Sequence, residues 1–351
     1  MSSAAHSPGS LTNRYVELDA LRGVAIGAVL LSHYFALYDT NFHSPVHATI
    51  GFSRGFYGVQ LFFMISGFVI LLTARSASRP RDFVIARATR LYPTYWVCLT
   101  ISWLLVTLTD FGPLYRSPEQ IAINYTMLQR MLGVRDVDGV YWSLSVELIF
   151  YGLVFVVLSW KKSISDDSVA RLMIAWCTVS FGIALATWAA PSHALQLAAI
   201  ATGAQYAPLF GVGMFGLLGR TRGHLGWGSA ACVAAAGVIT YLFSGTEAAI
   251  IVGALSLAFL FVVMKESVPL LRWRPLVFVG QISYPLYLLH QNVGYWLIDH
   301  FVDYVPRDLA SLLAIPIALA MAWLVHISIE TRVSKQIRRA LTTWLTRKVV
   351  A

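Results

Sequence analysis

The chain has 351 residues, of which 57% are hydrophobic and only 12% charged, about half the charged share of a soluble globular domain. With a positive mean hydropathy, this composition excludes a soluble enzyme and predicts an all-α polytopic membrane protein. The net charge of +9 does not indicate nucleic acid, because the charges fall between apolar runs; anionic headgroups of the lipid bilayer are the simpler partner.

Residues 1–13 are polar, and no small-residue cleavage pattern follows the first apolar run, so no cleaved signal peptide is expected. Apolar runs long enough to span a bilayer occur at about 18–38, 56–74, 91–109, 141–160, 170–190, 195–218, 226–243, 247–264, 276–300 and 309–329, which predicts ten membrane passes. The connecting segments alternate in Lys and Arg content. Arg14, the 75–90 loop, the 161–171 loop, the 219–225 loop, the 265–275 loop and the last tail hold twenty cations, and the other loops hold five. Cytoplasmic loops carry that excess, so both termini are expected in the cytoplasm. The expected organisation is a cytoplasmic tail at 1–17, a transmembrane domain at 18–330 and a basic cytoplasmic tail at 331–351. In the long outer loop 110–140, the stretch SPEQIAINYTMLQRML is expected to form a short surface helix.

The first run, LDALRGVAIGAVLLSHYFALY, carries Arg22 and His33 inside an apolar segment. Ionisable groups there are rare unless they face a protein interior. Eleven residues apart, the two lie within roughly 20° of one helix face and ~16 Å apart along the axis. A plainer reading has Arg22 snorkelling to the headgroups and His33 bonding a neighbouring helix. With the chain directions that the charge alternation implies, His33, Gln60, Glu147 and His290 come from four spans into the outer half of the bilayer and are expected to form one polar site. An unpaired charge at the depth of Glu147 costs about 2.5–3.5 kcal/mol, so that carboxyl should be paired or protonated.

A second group lies at the inner side. Arg87 and Arg90 are three apart at the mouth of the third span, Asp19 and Arg22 share the same spacing, and His326 and Glu330 are four apart. These spacings place each pair on one helix face. The functional reading is a cationic mouth for an anionic ligand; the plainer one is the positive charge that cytoplasmic segments carry, with Asp19 and Glu330 simply neutralising arginines. GVGMFG at 211–216 matches the dinucleotide fingerprint but follows no strand, so it and GVAIG at 23–27 are read as helix-packing faces. No His or Cys spacing suggests a metal, and Cys98, Cys177 and Cys232 read as small packing residues.

Five segments in order, LDALRGVAIGAVLLSH (18–33), GVQLFFMISGFVI (58–70), RATRLYPTYW (87–96), YWSLSVELIFY (141–151) and ISYPLYLLHQ (282–291), give the chain a resemblance to the membrane-bound acyltransferase-3 family. The resemblance implies ten core transmembrane helices and transfer of an acyl group, commonly acetyl from acetyl-CoA, to a hydroxyl of a carbohydrate or glycoconjugate acceptor. It implies catalytic importance for Arg22 and His33 and donor binding by Arg87 and Arg90. Two features depart from similar proteins. The position of Gln60 is often acidic in them, and the fused extracytoplasmic hydrolase-like domain that some relatives carry is not expected after the tenth span. The mechanism expected from these residues has His33 as general base, Glu147 orienting its imidazole, and His290 and Gln60 supporting the acceptor. Direct transfer and an acyl-enzyme on His33 both fit. The protein is then expected in the inner membrane with no metal and no nucleic-acid partner. A secondary transporter with an intramembrane His/Glu relay is the alternative from another class.

Overall fold

The computed structural model describes residues 15–350 apart from 43–46, 110–113, 162 and 266, and the backbone alone of 344–350. Arg14 and Lys162, counted in the charge alternation, lie outside the described residues. The described residues form helices and connecting turns with no strand, as expected of an all-α polytopic membrane protein.

Helix α1 (Val16–Ser32) continues through a π-helical turn (His33–Leu37) into α2 (Tyr38–Phe42). After it come α3 (Gly58–Ser76), α4 (Pro80–Leu108), the short α5 (Pro118–Asn124), α6 (Trp142–Lys161), α7 (Asp166–Ala189), α8 (His193–Thr202) and α9 (Ala207–Arg222). The chain ends with α10 (Trp227–Met264), α11 (Arg274–Gln281), α12 (Ser283–Phe301), α13 (Arg307–Val325), a second π-helical stretch (His326–Val333) and α14 (Ser334–Val350).

Eight of the described helical stretches are long and apolar enough to cross a membrane, against ten expected. The difference has two causes. Residues 227–264 run as one 38-residue helix, ~57 Å if straight and nearly twice the ~30 Å apolar core of a bilayer. At Gly245 (φ 84°, ψ −175°) the backbone leaves helical geometry for a conformation that essentially only glycine adopts. Leu225, just before α10, and Met264, at its end, both lie against Gly219 of α9, while Ser244 bonds Gln205 beyond the other end of α9. The chain therefore turns back at Gly245, inside the expected 244–246 connection.

The second cause is α12, whose His290, Gln291 and Asn292 lower its apolarity. Every residue of α12 from Pro285 to Tyr295 is buried, so its polar groups face protein rather than lipid. The expected basic tail is also structured. Residues 334–350 form α14, which packs along α4.

Small residues set how closely the helices approach. A Cβ on Gly67 of α3 would lie 2.1 Å from the carbonyl oxygen of Phe210, and one on Gly213 of α9 would lie 1.9 Å from that of Met64. The backbones of α3 and α9 thus touch through the GVGMFG segment, the close packing that glycine allows between membrane helices. Gly23 likewise meets Leu276 of α11, whereas Gly27 faces open space. Gly213→Val should cost at least about 1–3 kcal/mol by overpacking and lower the thermal midpoint in detergent. Gly27→Ala should leave that midpoint unchanged or slightly raised.

Candidate active site

The described helices enclose three cavities in series, each sharing wall residues with the next. The first, of about 230 Å³, lies at the end of the bundle where α4 meets α14. Its wall includes Arg87, Arg90, Lys335 and Arg338 with one carboxylate, Glu330. Arg87 and Arg90 also face the second cavity, of about 90 Å³, together with Arg22, Glu147, Ser66 and Tyr151. Val59 and Tyr287 line both the second and the third. The third, of about 700 Å³, is lined by His33, Gln60 and Gln291 among others.

The arginine pair is positioned as its spacing predicts, on one face of α4. Arg87 Nη2 donates to Thr73 Oγ1 at 2.9 Å, its guanidinium sits 6.0 Å from the Tyr151 ring centre, and its Nε is buried without a partner. Arg22 is held by Asp19 at 3.1 Å. Glu330 accepts from the neighbouring His326 at 2.7 Å. In the second cavity three guanidinium groups face one carboxylate, an excess of positive charge suited to a polyanion.

Glu147 belongs to this arginine group and not to His33. Its Oε1 accepts from Ser66 Oγ at 2.9 Å and from Tyr151 OH at 2.8 Å. The expected orientation of the His33 imidazole by Glu147 is therefore not made. The depth estimate along α6 was compatible with either neighbour, but the side chain lies in the second cavity with Arg22 of α1 and Arg87 and Arg90 of α4, whose charges offset its own.

His33 pairs instead with His290. The two rings stand edge to face with centres 4.8 Å apart, and Tyr295 lies 6.1 Å from His33. His290 is fully buried, and its Nδ1 faces the carbonyl of Tyr287 at 2.9 Å. Since a carbonyl only accepts, the proton lies on Nδ1 and the Nε2 lone pair is bare. That Nε2, His33 Nδ1 and Gln60 Oε1 are all buried without a hydrogen-bond partner. His33 and Gln60 line the third cavity, where two buried polar atoms left open point to a ligand that completes them.

Two devices that hold this site were not read from the sequence. The first is the π-helical turn. The Tyr38 amide donates to the carbonyl of His33, one residue farther back than in an α-helix. The carbonyl of Tyr34 is thereby released, and it accepts from Arg307 Nη2 at 2.6 Å and Ser311 Oγ at 2.9 Å. Arg307 is 3% exposed; it also bonds Asp39 at 2.8 Å and lies 4.5 Å from the Tyr38 ring centre.

The second device is the 110–140 segment, which does more than cover the surface. Its helix stops at Asn124, seven residues long, because the Asn124 side chain turns the chain back by bonding Arg135 O at 2.9 Å and Val137 N at 3.0 Å. The returning chain delivers buried Asp138, which accepts from the backbone amides of Asn292 and Val140 at 3.0 and 3.2 Å. The Asp-Gly pair immediately before the aromatic start of the fourth span was the available signal for this role.

Arg307→Met leaves Asp39 buried without its cation. It should destabilise the protein by about 3–5 kcal/mol, read by thermal unfolding in detergent. Asp39→Asn combined with Arg307→Met should cost less than the sum of the single changes.

A family model described as an acyltransferase domain matches residues 15–329. The curated relatives include an exopolysaccharide production protein, ExoZ, of Rhizobium meliloti (29% identical over 162 residues, 40% of this chain and 47% of the relative). Nodulation protein 10 of Rhizobium leguminosarum bv. viciae is 28% identical over 182 residues, 45% of this chain and 48% of the relative. An O-acetyl transferase of Shigella phage Sf6 is 29% identical over 159 residues, 41% and 46% of the two chains. The chain thus spans about half the length of the curated relatives it matches. No solved structure matches it significantly. With the family model covering both the arginine and the histidine groups, the chain belongs to the acyltransferase-3 family of integral membrane proteins.

Proposed function

We propose that this chain is an integral membrane O-acyltransferase of the inner membrane. It takes an acyl group, acetyl in the first instance, from cytoplasmic acyl-CoA and passes it to a hydroxyl of a carbohydrate on the outer side. The observation that carries this reading is the series of three cavities, running with shared walls from an arginine-rich end to His33. The Lys and Arg alternation supports a cytoplasmic position for the arginine-rich end, with ten passes and both termini inside. The descriptions of two relatives, an O-acetyl transferase and an exopolysaccharide production protein, support acetyl and a carbohydrate acceptor.

Coenzyme A is polyanionic, and Arg87 and Arg90 hold its phosphates where the first two cavities meet. The buried Nε of Arg87, without a partner in the fold, is a donor ready for such an oxygen. Glu147, Ser66 and Tyr151 fix the arginine group rather than the base. The pantetheine arm runs past Arg22 to the neck at Val59 and Tyr287, since ~16 Å along α1 keeps Arg22 and His33 from touching one carbon. At the neck the acceptor hydroxyl attacks the thioester carbonyl while His33 takes its proton. The carbon–sulfur bond then breaks as the new ester forms, and the imidazolium returns the proton to the departing thiolate. His290 packs against the His33 ring and holds it in place.

The test is acyl transfer in sealed vesicles with acyl-CoA on one face. His33→Ala should lower turnover by about 10²–10⁴-fold, and normal turnover would remove His33 from catalysis. Arg87→Ala should raise the KM for acyl-CoA by roughly tenfold or more with a smaller change in kcat. Substrate uptake without any acyl donor would favour a transporter instead. Topology reporters fused after residues 48 and 82 should report opposite sides of the membrane.

A further inference from the structure

The third cavity differs from the other two in its chemistry. Among the described residues no Asp, Glu, Lys or Arg lines it, although it is the largest of the three. Its wall combines two kinds of side chain. Phe56, Tyr57, Trp142, Tyr206 and Tyr287 supply aromatic surface, and Asn41, Gln60, Gln205, Gln291, Thr240 and Ser244 supply amides and hydroxyls. Gln60 and Gln291 are each only 8% exposed.

We infer that the acceptor bound here is an uncharged sugar residue, and that sugars bearing a carboxylate or phosphate are excluded from it. A pyranose ring presents C–H groups on its faces, which suit the electron-rich face of an aromatic ring. Its hydroxyls both donate and accept at the rim, matching amides that do the same. The buried Gln60 Oε1 without a partner calls for a donor. A hydroxyl supplies one, whereas a carboxylate or phosphate dianion offers only acceptors and would meet no Lys or Arg in the wall. Burying such an anion without a counter-charge costs several kcal/mol.

The contrast with the arginine-lined cavity gives the two ends different selectivity. A polyanionic donor is favoured at one and disfavoured at the other, so donor and acceptor do not compete for one site. This inference rests on the acyltransferase reading for the fate of the sugar, but not for its binding.

The experiment titrates purified protein in detergent, without acyl donor, with two sets of probes. The neutral set is the methyl glycosides of glucose, galactose, rhamnose and N-acetylglucosamine. The charged set is methyl glucuronide, methyl galacturonide and glucose 6-phosphate. The tightest neutral probe should bind at least tenfold more tightly than the tightest charged one. Gln60→Leu should weaken the neutral probe about fivefold, and Gln205→Ala should also weaken it. Coenzyme A binding by both variants should be unchanged, which reports that they are folded.

Equal or tighter binding of the charged set, or no binding of any neutral probe, overturns the inference. So does unaltered neutral binding in both variants. Acyl transfer from acyl-CoA to the same probes is read separately. Transfer that favours the charged set overturns the inference and leaves the acyltransferase reading standing. Neutral binding with no transfer to any probe leaves the inference standing and overturns that reading.

Discussion

One backbone carbonyl holds the site in its present form. The wide turn at His33–Leu37 moves the Tyr38 amide onto the carbonyl of His33 and leaves that of Tyr34 free inside the bundle. A buried carbonyl without a donor is costly, and the fold meets the demand from a distant part of the chain with Arg307 and Ser311. Arg307 needs a carboxylate in turn, and Asp39 supplies it from the helix that follows the wide turn. The irregular turn, the buried ion pair and the start of α13 therefore stand together. Because His33 is the first residue of that turn, whatever fixes the turn also fixes the imidazole against His290.

The charged groups sort themselves along the same helix. At the Arg22 end, guanidinium groups gather around Glu147 and Asp19 pairs with Arg22. At the His33 end, the third cavity has no formally charged lining besides imidazole. In a membrane interior each unpaired charge is expensive, so Glu147 and Asp19 offset the arginines at one end, while at the other Asp39 is paired with Arg307 away from the cavity lining. The Ser66 and Tyr151 hydroxyls that bond Glu147 fix the carboxylate where the cations are, away from the histidines.

Much of this arrangement could be read from residue spacing. The eleven-residue spacing of Arg22 and His33 gave two depths on one helix. The three-residue spacing of Arg87 and Arg90 put both on the face that lines two cavities. Chain direction brought His33, His290 and Gln60 to one level, where His290 packs on His33 and Gln60 lines the same cavity as His33. Depth, however, does not say which neighbour a side chain faces, and Glu147 was assigned to the wrong group for that reason. The π-helical turn leaves no pattern in a run of apolar residues, so nothing in the sequence tied Arg307 to it. Asp138 was hidden because its loop, counted as outside the membrane by its polarity, folds back among the helices through Asn124. The reversal at Gly245 was legible only as a short polar gap between two apolar runs.

The shared wall at Val59 and Tyr287 matters for the lipid bilayer as well as for chemistry. The Tyr287 hydroxyl is tied to Ser143 Oγ at 2.9 Å and to the carbonyl of Val140 at 3.0 Å. The ring therefore stands as a fixed wall at the neck between the two hollows. A continuous wet passage through those hollows would conduct ions and dissipate the proton gradient. A narrow neck with one fixed aromatic wall keeps the two hollows from merging into such a passage, so the bilayer around them stays electrically sealed.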